Sequence, residues 1–419
     1  MKRAILTIFL LFAVMAGVCA AEAVLVPTLA VNTEDQVKGV LPARPLYIPR
    51  VSQVVRGQSF ELVSGVVDPE FRNEKLQLNG TLTIKTPDGS EKIVFKNAKM
   101  FAFDKKVSGI IISNVQCNIC FEESDKDGSY VFSLSLYDPA ERKKILKSKP
   151  VTVVLTGKKS DLSPVSEKEL SDIFTKYYLN PRPERLLAAL DAFWKLDVKK
   201  RSEKNKKYEP RIFLYGFAEA FRLNPHLWDE LPEHAVNLSK EQKKLFAMLL
   251  VGIGSDAVAK LTPRLDAEVL ETIRSFKQRN PLYIARVRSG AHLDCLWIKY
   301  MITGRLEPVK QIAAELRKKE VFTLEQAKAK QAKGEKLTPE EIKKFNNFII
   351  TMAAYWSLQS NIRQNHRLLK FYLEAIVVRK EYVDNTAGSL LVAILKKSSE
   401  KNNKTTSAAE EKRNKQKEL

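Results

Sequence analysis

The pattern of hydrophobic positions changes its period once along the chain. Between residues 24 and 158, apolar side chains recur at every second position, as in "DGSYVFSLSLYDP". One face of this run consists of Tyr130, Phe132, Leu134 and Leu136. A period of two is typical of half-buried strands. The stretch "GTLTIKTPDGSEKIVF" adds a hairpin signal, because Pro87-Asp88-Gly89 separates two alternating runs. We therefore predict an antiparallel β-sandwich over residues 45–158, preceded by an extension at 24–44.

From Ser163 onward the apolar period is helical. Ser166-x-x-Glu169 and Ser239-x-x-Gln242 match the capping box that opens helices. Thr338-Pro339-Glu340-Glu341 is another start signal. The apolar residues of the helix that it opens are Ile342, Phe345, Ile349, Met352 and Trp356. Roughly ten helices with short connections predict stacked αα-hairpins, similar to tetratricopeptide arrays, over residues 159–395. No fixed repeat period supports a regular solenoid.

The stretch "LDCLWIKYMITG" predicts the most apolar of these helices, with a stop at Thr303-Gly304. Its stripe at helical spacing consists of Leu293, Leu296, Trp297, Tyr300 and Met301. A tryptophan in such a stripe usually belongs to the core, whereas a ligand-stacking role would need convergent polar groups. We expect Trp297 to be buried between helices that cover it on more than one side.

The first 23 residues match a secretory signal peptide. "MKR" is a basic start, an apolar run of about 15–17 residues follows, and small residues surround Ala20 and Ala23. Cleavage could follow either alanine. Val18 stands where a lipoprotein signal needs a small residue, which argues against lipidation at Cys19. We therefore expect a periplasmic or secreted bacterial protein without a transmembrane segment after signal removal.

The net charge of +21 is concentrated in the helical section, where residues 159–395 hold 41 basic and 29 acidic side chains. One predicted loop carries a cluster of six: Lys199, Lys200, Arg201, Lys204, Lys206 and Lys207. In an exported protein such a loop could bind an anionic envelope polymer or lipid headgroups. A solvated connection between helices is the alternative. The tail at 396–419 is rich in Lys, Glu, Asn and Ser, which predicts a disordered basic segment.

Cys117-Asn118-Ile119-Cys120 has the spacing of a redox motif but lies in a run that alternates as a strand. Redox pairs place the first cysteine at a helix start. In an extended strand the two Cα atoms are about 10 Å apart, too far for a disulfide without a turn. The pattern favours two free thiols, and a local disulfide at a bulge or a redox or metal role remains open.

Motifs of common enzymes are missing from the sequence. It contains no Gly-x-Ser-x-Gly, no P-loop and no His-Glu-x-x-His. None of the four histidines has another histidine three or four residues away. The sequence therefore predicts no catalytic, cofactor-binding or metal-binding residues that can be named, although a site assembled across distant segments is possible.

Two resemblances add to this picture. "LDCLWIKYMITGRLEPVKQIAAEL", "AAYWSLQSNIRQNHRLLKFYLE" and "LYGFAEAFRLNPHLWDEL" resemble an uncharacterised family of secreted, helical bacterial proteins over residues 170–380. That resemblance implies an αα-hairpin domain and no particular reaction. Asp127-Gly128-Ser129-Tyr130 before a strand resembles the tyrosine corner of immunoglobulin-like domains. Phe132 stands where those domains have a cysteine, and no tryptophan marks their third strand.

The sequence therefore predicts a multidomain β-then-α protein, with an immunoglobulin-like sandwich followed by a helical-hairpin domain. The leading functional interpretation is a non-enzymatic extracytoplasmic interaction or scaffold protein whose partner is a protein. One alternative is a binder of anionic polymer or nucleic acid. Another is an envelope enzyme with a site that is invisible in the sequence.

Overall fold

The structure is a computed structural model of the 419-residue chain. It describes residues 21–29, 48, 50–106, 110–113, 115, 117–140, 145–157, 160–195, 210–276, 280–284, 286–317, 322–365, 369, 373–374, 377 and 388–396. The chain divides into two compact units, and in the described residues from Arg50 onward the division falls between Gly157 and Ser160. The first unit is built of strands and the second of helices.

The strands of the first unit form two sheets. Their bounds are β1 Glu22–Thr28, β2 Gln53–Val55, β3 Ser59–Val67, β4 Leu76–Lys85, β5 Glu91–Phe103, β6 Ile110–Ile112, β7 Cys117–Cys120, β8 Gly128–Tyr137, β9 Ile145–Lys147 and β10 Val151–Thr156. One sheet has the order β1-β3-β6, with β7 also paired to β3. The other has the order β2-β10-β8-β4-β5, with β9 paired to β8. All of these pairs are antiparallel except β2 with β10, which is parallel.

Residues from both sheets share one hydrophobic core. On β8 the alternation predicted from the sequence is confirmed: Tyr130, Phe132, Leu134 and Leu136 are all buried. The predicted hairpin is confirmed as well, because Lys85 of β4 pairs with Glu91 of β5 across the turn. Gly89 has φ +85° there, a left-handed conformation that favours glycine.

The sheets begin earlier than the boundary at residue 45. Strand β1 pairs with β3 along its whole length, from Glu22 opposite Val67 to Thr28 opposite Glu61. Ala23 is buried in the core between the sheets. The sequence pattern missed this strand because "EAVLVPT" is a run of only seven residues next to the apolar signal segment, and its place in the sheet is set by pairing with the distant strand β3.

The second unit consists of helices. The α-helices are α1 Glu167–Lys176, α2 Leu186–Lys195, α3 Pro210–Leu223, α4 Lys240–Ile253, α5 Ser255–Leu261, α6 Ala267–Ser275, α7 Gly290–Thr303, α8 Glu307–Ala314, α9 Leu324–Ala332 and α10 Pro339–Asn365. The 3₁₀ segments are Tyr177–Leu179, Pro183–Arg185, Pro225–Ala235, Thr262–Arg264 and Glu315–Arg317. Residues 388–396 are also helical. No helix in the described residues combines the length and apolarity that a membrane span requires.

Helix α7 is the centre of the helical unit. It ends at Gly304, whose φ of 66° is the left-handed cap predicted from the sequence. Trp297 is buried, as expected, and its ring meets that of Tyr300 edge-on at 6.1 Å. One side of α7 packs into a hydrophobic cluster with α3 and α4, and the other packs against α8 and α10. The wide apolar face therefore serves two clusters at once.

Arg185 fixes the entry into the helical unit. Its guanidinium is buried and donates to the backbone carbonyls of Asp161 and Ser163 at 2.8 and 2.9 Å. It also donates to Glu169 at 2.7 Å. Ser166 caps α1 as predicted, but Glu169 does not complete the capping box. Its carboxylate binds the arginine instead. Leaving a buried guanidinium without a counter-charge destabilises a protein more than the loss of a second helix cap does.

Candidate interaction surface and cleft

Helix α10 begins at a well-satisfied cap. The backbone amide of Glu341 donates to Thr338 at 3.3 Å, and the carboxylate of Glu341 accepts from the backbone amide of Thr338 at 2.9 Å. Lys330 of α9 contacts the same carboxylate at 2.7 Å. This lysine, and then the backbone of Thr338, lower the pKa of Glu341 to about 2. The start predicted from Thr338-Pro339-Glu340-Glu341 is confirmed, and it fixes the rotational position of the long helix that follows.

The apolar residues of α10 lie on two different faces. The face that packs into the core carries Ile350, Ala354, Leu358 and Ile362, all buried at a spacing of four. The face singled out from the sequence points outward. It carries Ile342, Ile349, Met352 and Trp356, whose side chains are 46%, 47%, 49% and 69% exposed, and the half-buried Phe345. We call these five residues the α10 seam.

The α10 seam is free of charge as well as exposed. Charged side chains occur at its start, at Lys343 and Lys344, where Glu340 binds Lys344 at 3.0 Å. From Phe345 to Ile362 the sequence contains no charged residue, although 28% of the chain is charged. Exposed apolar residues that stand singly are common, whereas a contiguous row of this kind is typical of interaction surfaces.

A cleft of about 890 Å³ opens elsewhere in the helical unit. Its wall includes residues of α3, α4, α7 and α8 and of the segment around Tyr283. The charged side chains that line it are Glu219, Arg222, Arg286, Lys299, Glu307 and Glu315. The volume lies within the range of small-molecule sites, and the lining is balanced in charge.

The carboxylate of Glu219 is the buried polar group of this cleft. Glu219 lies on α3, inside the apolar run "FAEAF", and is 6% exposed. Arg222 contacts it at 2.8 Å and Lys299 of α7 at 3.5 Å. Arg222 also donates to the carbonyl of Ile253 at 2.9 Å and so holds the end of α4. Burial, and then the negative charge of Glu219, raise the pKa of the Tyr215 hydroxyl. These ion pairs fix the position of the Glu219 carboxylate between α3 and α7.

The two cysteines of the β unit lie on strand β7, as the sequence pattern predicted. Cys117 and Cys120 are free thiols, with Cys117 half-buried and Cys120 exposed. Burial, and then the nearby charge of Glu61, raise the pKa of Cys117 to about 11. A reactive redox cysteine needs the opposite shift. The geometry therefore gives no support to the redox interpretation of this pair.

The predicted anion-binding loop falls outside the described residues, which resume at Pro210 after Lys195. Its members are Lys199, Lys200, Arg201, Lys204, Lys206 and Lys207. The tail from residue 397 and the signal segment up to residue 20 also fall outside them. In the described part of the chain, no three His, Cys, Asp or Glu side chains are grouped closely enough to hold a metal ion.

Sequence reasoning did not find the cleft and did not recognise that the α10 seam is exposed. Glu219 gave a weak signal, as a carboxylate at the centre of an apolar helix. The seam gave a stronger signal. Its spacing of 3, 4, 3 and 4 residues forms an apolar stripe that is narrower than the stripe of a typical core-facing helix, and the residues beside it are uncharged.

Comparison with known proteins does not assign this chain to a family. No protein-family model matches this sequence, and no curated protein matches it. The resemblance to a secreted helical family therefore stays a prediction. In its quoted motif Trp-Ser-Leu, Trp356 is exposed and Leu358 is buried.

Proposed function

We propose that this protein is a non-enzymatic interaction protein that acts outside the cytoplasm and binds a protein partner through the α10 seam. The observation that carries the proposal is the row of exposed apolar side chains from Ile342 to Trp356 on a helix whose other face is already packed. Leaving such a row in water costs roughly 25 cal/mol for each Å² of apolar surface, so covering it favours association.

Export from the cytoplasm is part of the proposal. It is supported by the basic and apolar pattern of the first 20 residues. Cleavage after Ala20 would leave strand β1 whole, whereas cleavage after Ala23 would remove Glu22 and the buried Ala23 from it. We therefore propose that the exported chain begins at Ala21, which N-terminal sequencing can decide; a start at Val24 would refute it.

We also propose that the β unit is an immunoglobulin-like sandwich. Three features support it. The hydroxyl of Tyr130 donates to the backbone carbonyl of Lys126 at 2.9 Å, as in a tyrosine corner. Strand β2 pairs in parallel with the last strand, β10, while the other pairs are antiparallel. Strand β8, which carries Tyr130, lies between β10 and β4 in the middle of its sheet.

A second candidate function is supported by the cleft. Glu219, Glu307 and Glu315 line it together with three basic side chains, a composition that an envelope enzyme or a binder of a small polar ligand could use. The ion pairs of Glu219 suit an anchoring role better than proton transfer. The α10 seam remains the stronger argument, because the cleft has no feature that selects one ligand.

The proposal is tested by capture from envelope fractions at low and at high salt. The bait is the wild-type protein, compared with a variant carrying Ile349→Glu and Trp356→Glu. Val236→Glu is the matched control, because Val236 is an apolar residue of the helical unit that is 70% exposed and lies outside the seam. We expect the wild type and the control to retain the same partner at both salt concentrations, and the seam variant to lose it. Retention by the seam variant would refute the proposal.

A further inference from the structure

The spacing of the α10 seam specifies the shape of what covers it. Its five residues follow one another at intervals of three, four, three and four positions, and together they span about 21 Å of helix. This is the heptad pattern of a coiled coil, in which apolar residues recur every 3.5 positions and insert between residues of a facing helix. The surface therefore fits another helix with the same spacing.

Charge along the seam is compatible with a second copy of the same helix. The positions that flank a coiled-coil seam usually carry the charges that select partners. Here the flanking residues are Asn346, Phe348, Ala353 and Tyr355, all uncharged. Over the stretch from Phe345 to Ile362, two copies of α10 would bring no like charges together, although each chain has a net charge of +21. Repulsion between the more distant charges is screened within about 8 Å at physiological salt.

We propose that a second copy of this chain covers the seam, with the two α10 helices packed antiparallel about a two-fold axis. This inference rests on the proposed function and names its partner. A coiled-coil seam alternates between two apolar heptad positions. In an antiparallel pair, a residue at one of these positions packs against a residue at the other position of the facing helix. The alignment that buries most of the seam places Trp356 against Phe345 of the other copy and Met352 against Ile349. Each contact occurs twice because the interface is isologous.

The area of the seam matches a weak dimer. With about 200 Å² for each large apolar side chain, the exposed fractions of Ile342, Ile349, Met352 and Trp356 amount to roughly 400 Å² per copy. Two copies would bury roughly 800 Å² of apolar surface. Homodimer interfaces are about 65% apolar, so the total reaches roughly 1,200 Å², the lower limit of specific interfaces. We therefore expect association in the micromolar range.

Sedimentation of the purified full chain over a range of micromolar concentrations tests the proposal. We expect a monomer–dimer equilibrium that stays as strong or becomes stronger between 0.1 and about 0.5 M salt, because salt screens the repulsion between two basic chains. Ile349→Glu should weaken dimerisation at least tenfold, and Val236→Glu should not change it. Both positions are exposed, so both variants should keep the wild-type melting temperature at a concentration where the chain is monomeric. A monomeric wild-type chain, or a dimer that Ile349→Glu leaves intact, would overturn the proposal.

The antiparallel alignment has its own test. Ile349→Glu and Met352→Lys should each weaken the dimer. A mixture of the two variants should restore it, because the introduced glutamate of one copy would then face the introduced lysine of the other across the interface. A mixture of Ile349→Glu with Ile349→Lys should not be restored, since these positions do not face each other in the antiparallel pair. Restoration by the second mixture alone would indicate parallel helices and overturn the alignment.

Failure of this inference can be separated from failure of the proposed function. If the chain is a monomer but its seam captures a different protein, the second copy is refuted and the interaction surface stands. If the chain is a monomer and Ile349→Glu reduces its binding to vesicles of phosphatidylglycerol, a lipid surface occupies the seam and both protein-partner proposals are refuted.

Discussion

At the scale of single residues, Arg185 shows how one buried charge can organise a segment of chain. Its guanidinium receives no solvent stabilisation and is satisfied by carbonyls of Asp161, Ser163 and Pro164 together with the carboxylate of Glu169. The residues just before α1 are thereby fixed to the 3₁₀ segment before α2. No local pattern in "DLSP" anticipates this, because the arginine that binds it lies more than 20 positions away.

Arg185→Met should destabilise the helical unit by about 3 kcal/mol, the low end for a broken buried pair, since Glu169 keeps a quarter of its side chain exposed. The hydrogen bond from Arg185 is the main cause that lowers the pKa of Glu169. A carboxyl with a lowered pKa contributes stability above its ordinary pKa and loses it as the pH falls.

The difference between wild type and Arg185→Met should therefore shrink as the pH falls below about 4. Urea denaturation at pH 7 and at pH 3.5 measures it. A difference that stays constant over this interval would show that the ion pair does not contribute.

At the scale of elements, two tryptophans at helical spacing have opposite environments. Trp297 on α7 is 6% exposed and Trp356 on α10 is 69% exposed. Both stand in apolar stripes, so local pattern alone cannot separate them. The difference arises because α7 is covered on two sides, whereas α10 lies at the surface and uses a different row of residues, including Leu358, for its core contacts.

Trp297→Ala should cost about 3–5 kcal/mol, because it removes a large side chain from a packed cluster. Trp356→Ala is its matched control and should change the free energy of unfolding by less than about 0.5 kcal/mol. Thermal and urea denaturation of both variants, at a concentration where the chain is monomeric, provide the measurement. Equal destabilisation by the two substitutions would contradict the assignment of one tryptophan to the core and the other to a surface.

Much of the fold could be predicted from local pattern. The alternation of β8, the β4–β5 hairpin, the cap at Thr338 and the stop at Gly304 follow from short-range rules, and the structure has them all. The rest depended on contacts between distant segments. Strand β1 is defined by pairing with β3, and the cleft arises where Glu219 of α3 meets Lys299 of α7. The spacing of residues within a single segment does not predict such contacts between distant segments.

At the scale of the whole molecule, the net charge of +21 and the uncharged seam suggest two different kinds of contact. The excess of positive charge lies mainly in residues 159–395, and six of those charges belong to the loop at 199–207. A contact that depends on them is weakened by salt, because it works through counterion release. A contact through the seam is not.

We expect the protein to bind heparin at low salt and to elute well before about 1 M. Neutralising Lys199, Lys200, Arg201, Lys204, Lys206 and Lys207 together should lower the eluting salt concentration more than removal of residues 396–419. Equal elution of the wild type and the loop variant would indicate that the loop is a solvated connection.

The central claim is that another protein molecule covers the α10 seam. A photo-crosslinking amino acid at Met352, introduced in producing cells, tests it most directly. The same group at Val236 is the control, because Val236 is also exposed and lies outside the seam. The account predicts one discrete protein adduct from position 352, formed at least as well at high salt as at low salt, and none from position 236. The absence of any protein adduct at 352, with the crosslinker intact and the chain folded, would contradict the account.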